Sequence, residues 1–257
     1  MSQAEAIGQA RQWLAAAQSI AVLTGAGVSA ESGVPTFRDA LTGHWANFRP
    51  EELASEAGFR AQPQRVWDWY ASRRDELKAV QPNAGHHALA QFQQRHPGRL
   101  TLITQNVDGL HQKAGSPGVL ALHGDIHATR WLDGFPGGCS RANQADEVCD
   151  VSAASPGRPP RCETCGNLLR PSVVWFGEML PIAELEAAQQ AADHCDVMLV
   201  VGTSGVVYPA AGLAHQAREA GARVLVLNPA ASDLDEIAHL LLRATAATGL
   251  PALLDGL

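Results

Sequence analysis

Ile20-Ala21-Val22-Leu23-Thr24-Gly25-Ala26-Gly27-Val28-Ser29-Ala30-Glu31-Ser32-Gly33-Val34-Pro35-Thr36-Phe37-Arg38 is the stretch that decides how this chain is read. The apolar run at its start predicts a strand over 19–24, buried on both faces. A glycine pair directly after a strand turns the backbone tightly and lets N–H groups approach a pyrophosphate with no Cβ in the way. Gly25 and Gly27, with Ala30 in the third place, fit a dinucleotide-binding fingerprint. The residues beyond Ala30 depart from the pattern of a hydride-transferring dehydrogenase. There the loop opens straight into a helix, and an acidic residue ends a second strand about twenty positions on. Here Pro35 works against an immediate long helix. Glu51 and Glu52 stand in a polar stretch with no strand before them. The loop is read as binding a dinucleotide for a reaction other than hydride transfer.

Working outward, the continuous apolar runs at 100–104, 118–122, 196–201 and 223–227 predict further parallel strands. Ile7, Ala10, Leu14 and Ala17 form a helical stripe over 4–17, and a second helix is predicted from about 209 to 220. The polar motifs fall at or just past the strand ends, where ligands bind in doubly wound sheets. Two segments break this rhythm. Residues 38–80 are polar with scattered aromatics, and 125–169 carry four cysteines and a loop-like Ser/Pro/Gly stretch. The expected architecture is α/β: a Rossmann-like parallel-sheet domain from 1–37, 81–124 and 170–257. A smaller domain is expected from the helical insertion 38–80 and the Cys-containing, zinc-ribbon-like insertion 125–169.

Composition narrows the function classes. The chain has 257 residues with 19 Lys and Arg against 26 Asp and Glu, a formal charge of −7, so no basic footprint for nucleic acid is present. No apolar run approaches the roughly 20 residues that span a bilayer, and no membrane partner is expected. Met1-Ser2-Gln3-Ala4-Glu5 lacks the basic and apolar regions of a secretory signal. Of five cysteines, Cys139, Cys149, Cys162 and Cys165 cluster, which suits metal binding in a reducing compartment better than a disulfide framework. A cytoplasmic protein is expected.

Four more motifs come after the glycine loop in order. They are Thr104-Gln105-Asn106-Val107-Asp108-Gly109-Leu110-His111, Leu122-His123-Gly124, Val174-Trp175-Phe176-Gly177-Glu178 and Gly202-Thr203-Ser204. Taken alone, each has a plain explanation. Asn and Asp favour turns, a lone histidine is usually structural, and hydroxyls beside glycine are common in loops. Together, and with the loop through Arg38, they make nearly the whole chain resemble the sirtuins, the NAD-consuming protein deacylases. The resemblance implies NAD as co-substrate, held by Gly25, Ala26, Gly27, Ser29, Ser32, Pro35, Phe37, Arg38, Gln105, Asn106, Asp108, Gly202, Thr203, Ser204, Asn228 and Ala246. It implies catalytic roles for His123 and Asn106, with His123 a general base toward the nicotinamide ribose hydroxyls. The family often has an acidic residue two positions after Asn228, whereas this chain has Ala230.

Substrate choice is read from one helix face. Val66, Tyr70, Arg73 and Leu77 recur at helical spacing, so an arginine shares an otherwise apolar face. Such a guanidinium needs an anion or several acceptors. An internal salt bridge, an arginine snorkelling to the rim or a substrate carboxylate would each answer this, with Tyr70 donating a second hydrogen bond in the last case. This Tyr-x-x-Arg, with Ala40 after the Phe37-Arg38 pair, resembles the sirtuin subgroup that removes succinyl and malonyl groups. The resemblance further implies that an extended acyl-lysine segment adds as a strand between Val174–Glu178 and Gly205–Tyr208, bound by Val174, Trp175, Phe176 and Gly177 on one side and Val206, Val207 and Tyr208 on the other.

The metal motif departs from the family. Cys162-Glu163-Thr164-Cys165 matches its second Cys-x-x-Cys pair, but Trp131-Leu132-Asp133-Gly134 stands where the first belongs. Cys139 and Cys149 come later at unusual spacing, leaving open a four-thiolate zinc site or a degenerate one. The implied reaction transfers the acyl group of a protein lysine to ADP-ribose, releasing nicotinamide and free lysine. Mono-ADP-ribosyl transfer and a catalytically silent NAD sensor are the alternatives.

Overall fold

Short, mostly aliphatic runs set the architecture. In the computed structural model, which describes residues 2–35, 49–133 and 154–257, the strands are β1 (Ile20–Thr24), β2 (Leu100–Thr104), β3 (Leu120–Ala121), β4 (Gly124–Trp131), β5 (Ala154–Ser155), β6 (Arg161–Cys162), β7 (Leu169–Val173), β8 (Val197–Val201), β9 (Arg223–Leu227) and β10 (Leu240–Leu242). Six of them form a parallel sheet in the order β10-β9-β8-β1-β2-β3. β1 and β8 are buried at every position, as strands covered on both faces must be.

Helices cover the two faces of this sheet. Leu14 of helix Gln3–Ala16, Leu89 and Phe92 of helix Ala84–Arg95, and Leu250 of helix Ala246–Leu254 join Val22, Leu102, Leu199 and Leu225 in one core. The alternating residues Ala21, Leu23, Ile103, Met198 and Val200 are also buried. They face the side where helix Ile182–His194 lies against β1, β2 and β3, and helix Gly212–Glu219 lies against β8 and β9. The first helix starts at a capping box, Ser2 accepting from the Glu5 N–H at 3.3 Å while Glu5 accepts from the Ser2 N–H at 2.7 Å. The chain runs outward from β1 in both directions, so a topological switch point lies beside β1, where ligands of such sheets bind.

The fold is the expected Rossmann-like α/β class, with two differences in detail. The run at 118–122 narrows to the two residues of β3. β10 has no counterpart among the predicted strands, because three leucines between His239 and Arg243 are too short a run to signal one.

The chain divides into two compact units. One comprises Met1–Ala40, Val80–His123 and Met179–Leu257, and the other Leu41–Ala79 with Gly124–Glu178. The second unit holds helices Pro50–Leu53, Glu56–Ala61 and Pro63–Ala79 and two small antiparallel ladders. β7 pairs with β4 with a register shift between Asp125 and Thr129. That pairing draws residues 170–178 into this unit, beyond the expected insertion boundary at 169.

Candidate functional site

The site starts where β1 and β8 end. The Gly25 N–H donates to Val201 at 3.0 Å, and the Gly27 N–H donates to Gly202 at 2.8 Å. A Cβ on Gly27 would sit 2.7 Å from the Gly202 Cα, and one on Gly202 would sit 2.6 Å from the Gly27 carbonyl carbon. Gly202 also takes a φ of 60°, so no side chain suits either partner. The chain then makes two 3-10 turns, Ala26–Val28 and Ala30–Ser32, and Pro35 comes next without a helix. Asn83 braces these turns by donating to the Val28 carbonyl at 2.8 Å and to the Ser32 hydroxyl at 3.0 Å. Glu31 accepts from the Ala247 N–H at 2.9 Å, so Ala246 and the last helix are tied to the same loop.

A polar network lies beneath the loop. The Ser29 hydroxyl donates to Asp108 at 2.7 Å and accepts from the Asn106 side-chain amide at 3.2 Å. The other Asp108 oxygen accepts from the Leu110 N–H at 2.9 Å. His86 Nδ1 accepts from the Asn83 N–H at 3.3 Å, which leaves the proton of the neutral ring on Nε2, 3.4 Å from Ser29 Oγ. Ser29 is thereby held as a donor to Asp108. The His86 and His111 rings pack 4.8 Å apart, and His111 Nε2 lies 3.0 Å from the Thr24 hydroxyl. Thr24 in turn donates to Thr104 at 2.8 Å, and Thr104 accepts from the Asn106 N–H at 3.0 Å. Burial pushes His86 down to about 4 and His111 down to about 3, each with a smaller push from a neighbouring histidine, so both are neutral near pH 7.

The sequence singles out Ser29, Asn106 and Asp108 but not His86, Thr24 or Asn83. The available signal was Asn83 as a helix cap, accepting from the Gly85 N–H at 2.9 Å with a histidine three positions on. Thr24 was hidden as the last residue of an apolar strand, and Thr104, though part of a motif, closes another.

His123 comes after β3. Its Nδ1 lies 2.8 Å from the Gln105 carbonyl, which can only accept. Nδ1 therefore carries the proton, and Nε2 presents a lone pair. Burial lowers its pKa against the opposing pull of that carbonyl, which keeps the base unprotonated near neutral pH. Gln105 donates its side-chain amide to Thr203 at 3.2 Å, and Asn228 donates to the Thr203 carbonyl at 3.0 Å. Ser204, Val206, Val207 and Tyr208 are exposed beyond β8.

The second unit carries the Tyr70 group. Val66, Tyr70 and Leu77 are buried on one face of helix Pro63–Ala79. The Arg73 side chain is 11% exposed and pairs with the more exposed Glu76 at 2.6 Å. The inward arginine thus has one anion on its own helix. Trp175 donates its indole N–H to the Tyr70 oxygen at 2.9 Å. Val174, Phe176 and Gly177 continue from β7, and the Phe176 N–H donates to Ala54 at 2.9 Å. Cys162 and Cys165 flank a tight turn in which Gly166 donates to the Cys162 carbonyl at 2.9 Å and Cys162 donates to Asn167 at 2.7 Å. Cys162 is buried and Cys165 exposed. Phe37, Arg38, Ala40, Cys139 and Cys149 lie outside the described residues. Among the described residues, no cluster of three metal-ligating side chains occurs and no helix is long and apolar enough to cross a membrane.

A glycine loop at the switch point of a parallel sheet, joined to a buried Ser-Asn-Asp network, defines an α/β nucleotide-binding protein. Comparison with known proteins is more specific. Residues 25–209 match the Sir2 family. The chain is 57% identical over 254 residues to an NAD-dependent protein deacylase of Ralstonia nicotianae, covering 99% of this chain and 98% of that one. It is 47% identical over 253 residues to a deacylase of the same description from Deinococcus radiodurans, covering 97% and 98%. A solved Sir2 homolog–NAD complex superposes with a TM-score of 0.81 at 42% identity, covering 96% of this chain and 92% of that one. A Sir2–p53 peptide–NAD+ structure superposes with a TM-score of 0.76 at 27% identity, covering 97% and 96%. The chain belongs to the Sir2 family.

On the expectation that His123 is the general base, acting through Nε2, His123→Ala should cut turnover at least about a hundredfold while leaving the melting temperature nearly unchanged. Wild-type kcat/KM is expected to rise with pH through a midpoint below the ordinary histidine value of about 6.5 and then stay flat. Steady-state kinetics with NAD and an acyl-lysine peptide check both. Turnover within a few-fold of wild type would remove His123 from the mechanism.

Proposed function

We propose that this protein is an NAD-dependent protein-lysine deacylase that prefers succinyl and malonyl groups and also accepts acetyl. The observation that carries the deacylase reading is the pairing of a neutral, oriented base, His123, with the Ser29–Asn106–Asp108 network. A silent sensor has no need of a positioned base. The similar proteins named NAD-dependent protein deacylases support it further.

The residues fit NAD by the chemistry of their donors. The loop around Gly25 and Gly27 suits a pyrophosphate, and Thr203, Ser204 and Asn228 suit the adenosine ribose. Asn106 and Asp108 suit the nicotinamide end, where an amide needs both donors and acceptors. NAD supplies a ribose carbon from which nicotinamide departs as the acyl oxygen bonds to it. His123 Nε2 takes the proton of a ribose hydroxyl so that its oxygen can accept the acyl group. Ser29 and His86 keep Asn106 and Asp108 in place. With one water consumed, the products are free lysine, nicotinamide and O-acyl-ADP-ribose.

The acyl preference rests on Tyr70 and Arg73 sharing a face that is otherwise apolar. Glu76, 55% exposed, keeps much of its hydration beside the inward Arg73, which weakens its hold, so a substrate carboxylate can take its place. Phe176, 57% exposed, would flank the acylated lysine, and Trp175, 2% exposed, would stand behind it against Tyr70. Because truncating one partner of a desolvated charge pair typically costs about 2–5 kcal/mol, Arg73→Met should lose most desuccinylation and keep deacetylation within about tenfold. Kinetics of both substrates on both proteins decide it. Equal losses would make Arg73 a structural residue and end the acidic-acyl assignment.

Zinc is proposed as a structural ion held by Cys162 and Cys165, with Cys139 and Cys149 completing four thiolates. The Cys162–Gly166 turn presents a Cys-x-x-Cys pair at the end of β6, which suits half of such a site. Elemental analysis of the purified protein should find about one zinc per chain, and Cys162→Ser should lower both zinc content and melting temperature. A metal-free protein of full stability would show that no zinc site exists.

A further inference from the structure

We infer that Trp175 sets acyl preference by fixing the direction in which the Tyr70 hydroxyl donates, an inference that rests on the acidic-acyl reading above. An indole N–H is a donor only. By donating to the Tyr70 oxygen at 2.9 Å it occupies an acceptor position there. The phenol proton must then point elsewhere. Tyr70 is 4% exposed, and among the described residues none accepts that proton. A buried O–H without an acceptor is costly, and a ligand that supplies one gains what the free protein lacks. The terminal carboxylate of a succinyl or malonyl group is such an acceptor, whereas the methyl of an acetyl group is not.

The tryptophan is itself tightly held, which makes it able to impose a direction. Its ring lies under the Arg170 guanidinium at 3.3 Å and against the Phe59 ring at 5.3 Å. Its backbone N–H donates to Glu178 at 2.8 Å, and Glu178 pairs with both Arg170 and Arg130. Arg170, only 2% exposed, also donates to the Val173 carbonyl at 2.7 Å. On its other side the Tyr70 ring meets Trp69 edge-on at 4.6 Å. Burial raises the Tyr70 pKa well above its ordinary value, so the phenol keeps its proton. Trp175 is therefore a positioning residue that acts through Tyr70.

The test is a double-mutant cycle on the ratio of desuccinylation to deacetylation efficiency. Trp175→Phe keeps a ring against Arg170 and Phe59 but removes the N–H. It should lower that ratio about five- to tenfold, the scale of one hydrogen bond, as should Tyr70→Phe. In the Tyr70→Phe background, Trp175→Phe should change the ratio less than about twofold, since the hydrogen bond it removes is already gone. A second readout uses wild-type protein. The chain holds two tyrosines, Tyr70 and Tyr208, so 3-fluorotyrosine labelling gives two fluorine NMR signals. The Tyr70 signal should move with a succinyl-lysine peptide and stay with an acetyl-lysine peptide, and it should shift in Trp175→Phe.

If Trp175→Phe lowers both activities alike, or has its full effect without the Tyr70 hydroxyl, Trp175 only supports the fold and the inference is overturned. If Trp175→Phe does not fold, the peptide titration of the wild type decides, and equal Tyr70 shifts with both peptides overturn it. A wild type that shows no preference for succinyl over acetyl removes the acidic-acyl reading instead. The Tyr70 shift in Trp175→Phe would still report whether the bond exists.

Discussion

The backbone contact between Gly27 and Gly202 is the constraint on which the site depends. It joins the loops after β1 and β8, two adjacent parallel strands in register from Ile20 with Val197 to Thr24 with Val201. With no Cβ on either side, the Gly27 N–H reaches the Gly202 carbonyl, and the first loop is pulled over the end of the sheet. The rest of the site uses that placement. The turn sets Ser29 above Asp108 and Asn106, and brings Val28 and Ser32 to Asn83. A side chain at either glycine would drive the loops apart by more than a hydrogen bond tolerates.

Beneath the loop, charge is managed by exclusion. Two imidazoles packed together in the interior stay neutral because burial penalises their charged forms. Neutrality gives each ring one donor and one acceptor, and the Asn83 N–H, donating to Nδ1 of His86, leaves the proton on the nitrogen that faces Ser29. Asp108 accepts on both oxygens, one from the Ser29 hydroxyl and the other from the Leu110 N–H. At His123 the same logic yields a base, since one nitrogen is committed to a carbonyl and the other is left open. In the second unit, Arg170 and Glu178 hold the segment after β7 rigidly enough for its tryptophan to fix a neighbouring phenol.

Much of the fold, and the strand ends on which the candidate site is built, was legible in the sequence. The run from Ile20 to Thr24 and the glycines after it pointed to the sheet and its ligand edge, because buried parallel strands and tight glycine turns leave local signals. Ser29, Asn106, Asp108 and His123 were legible as motif residues at strand ends. His86 was not, because its role depends on packing against His111, and periodicity carries no such information. The Trp175–Tyr70 bond spans a sequence separation of 105, so neither residue's local context reveals it. The Glu76 partner of Arg73 was within helical reach at three positions and could have been read from spacing alone. β10 and the pairing of β7 with β4 are tertiary outcomes of short, ambiguous runs.

The most direct test of the glycine contact is the NAD affinity of Gly27→Ala, measured by titration calorimetry beside circular dichroism of the same sample. Forcing a methyl against backbone typically costs about 1–3 kcal/mol. Displacement of the loop should therefore weaken NAD binding by roughly ten- to a hundredfold, by the arithmetic of affinity. The helical signal should be retained, because of the described loop residues only Val28 belongs to the core around the sheet. Wild-type affinity in a folded Gly27→Ala protein would contradict this dependence, since it would mean that the loop reaches its place without the close approach of Gly202.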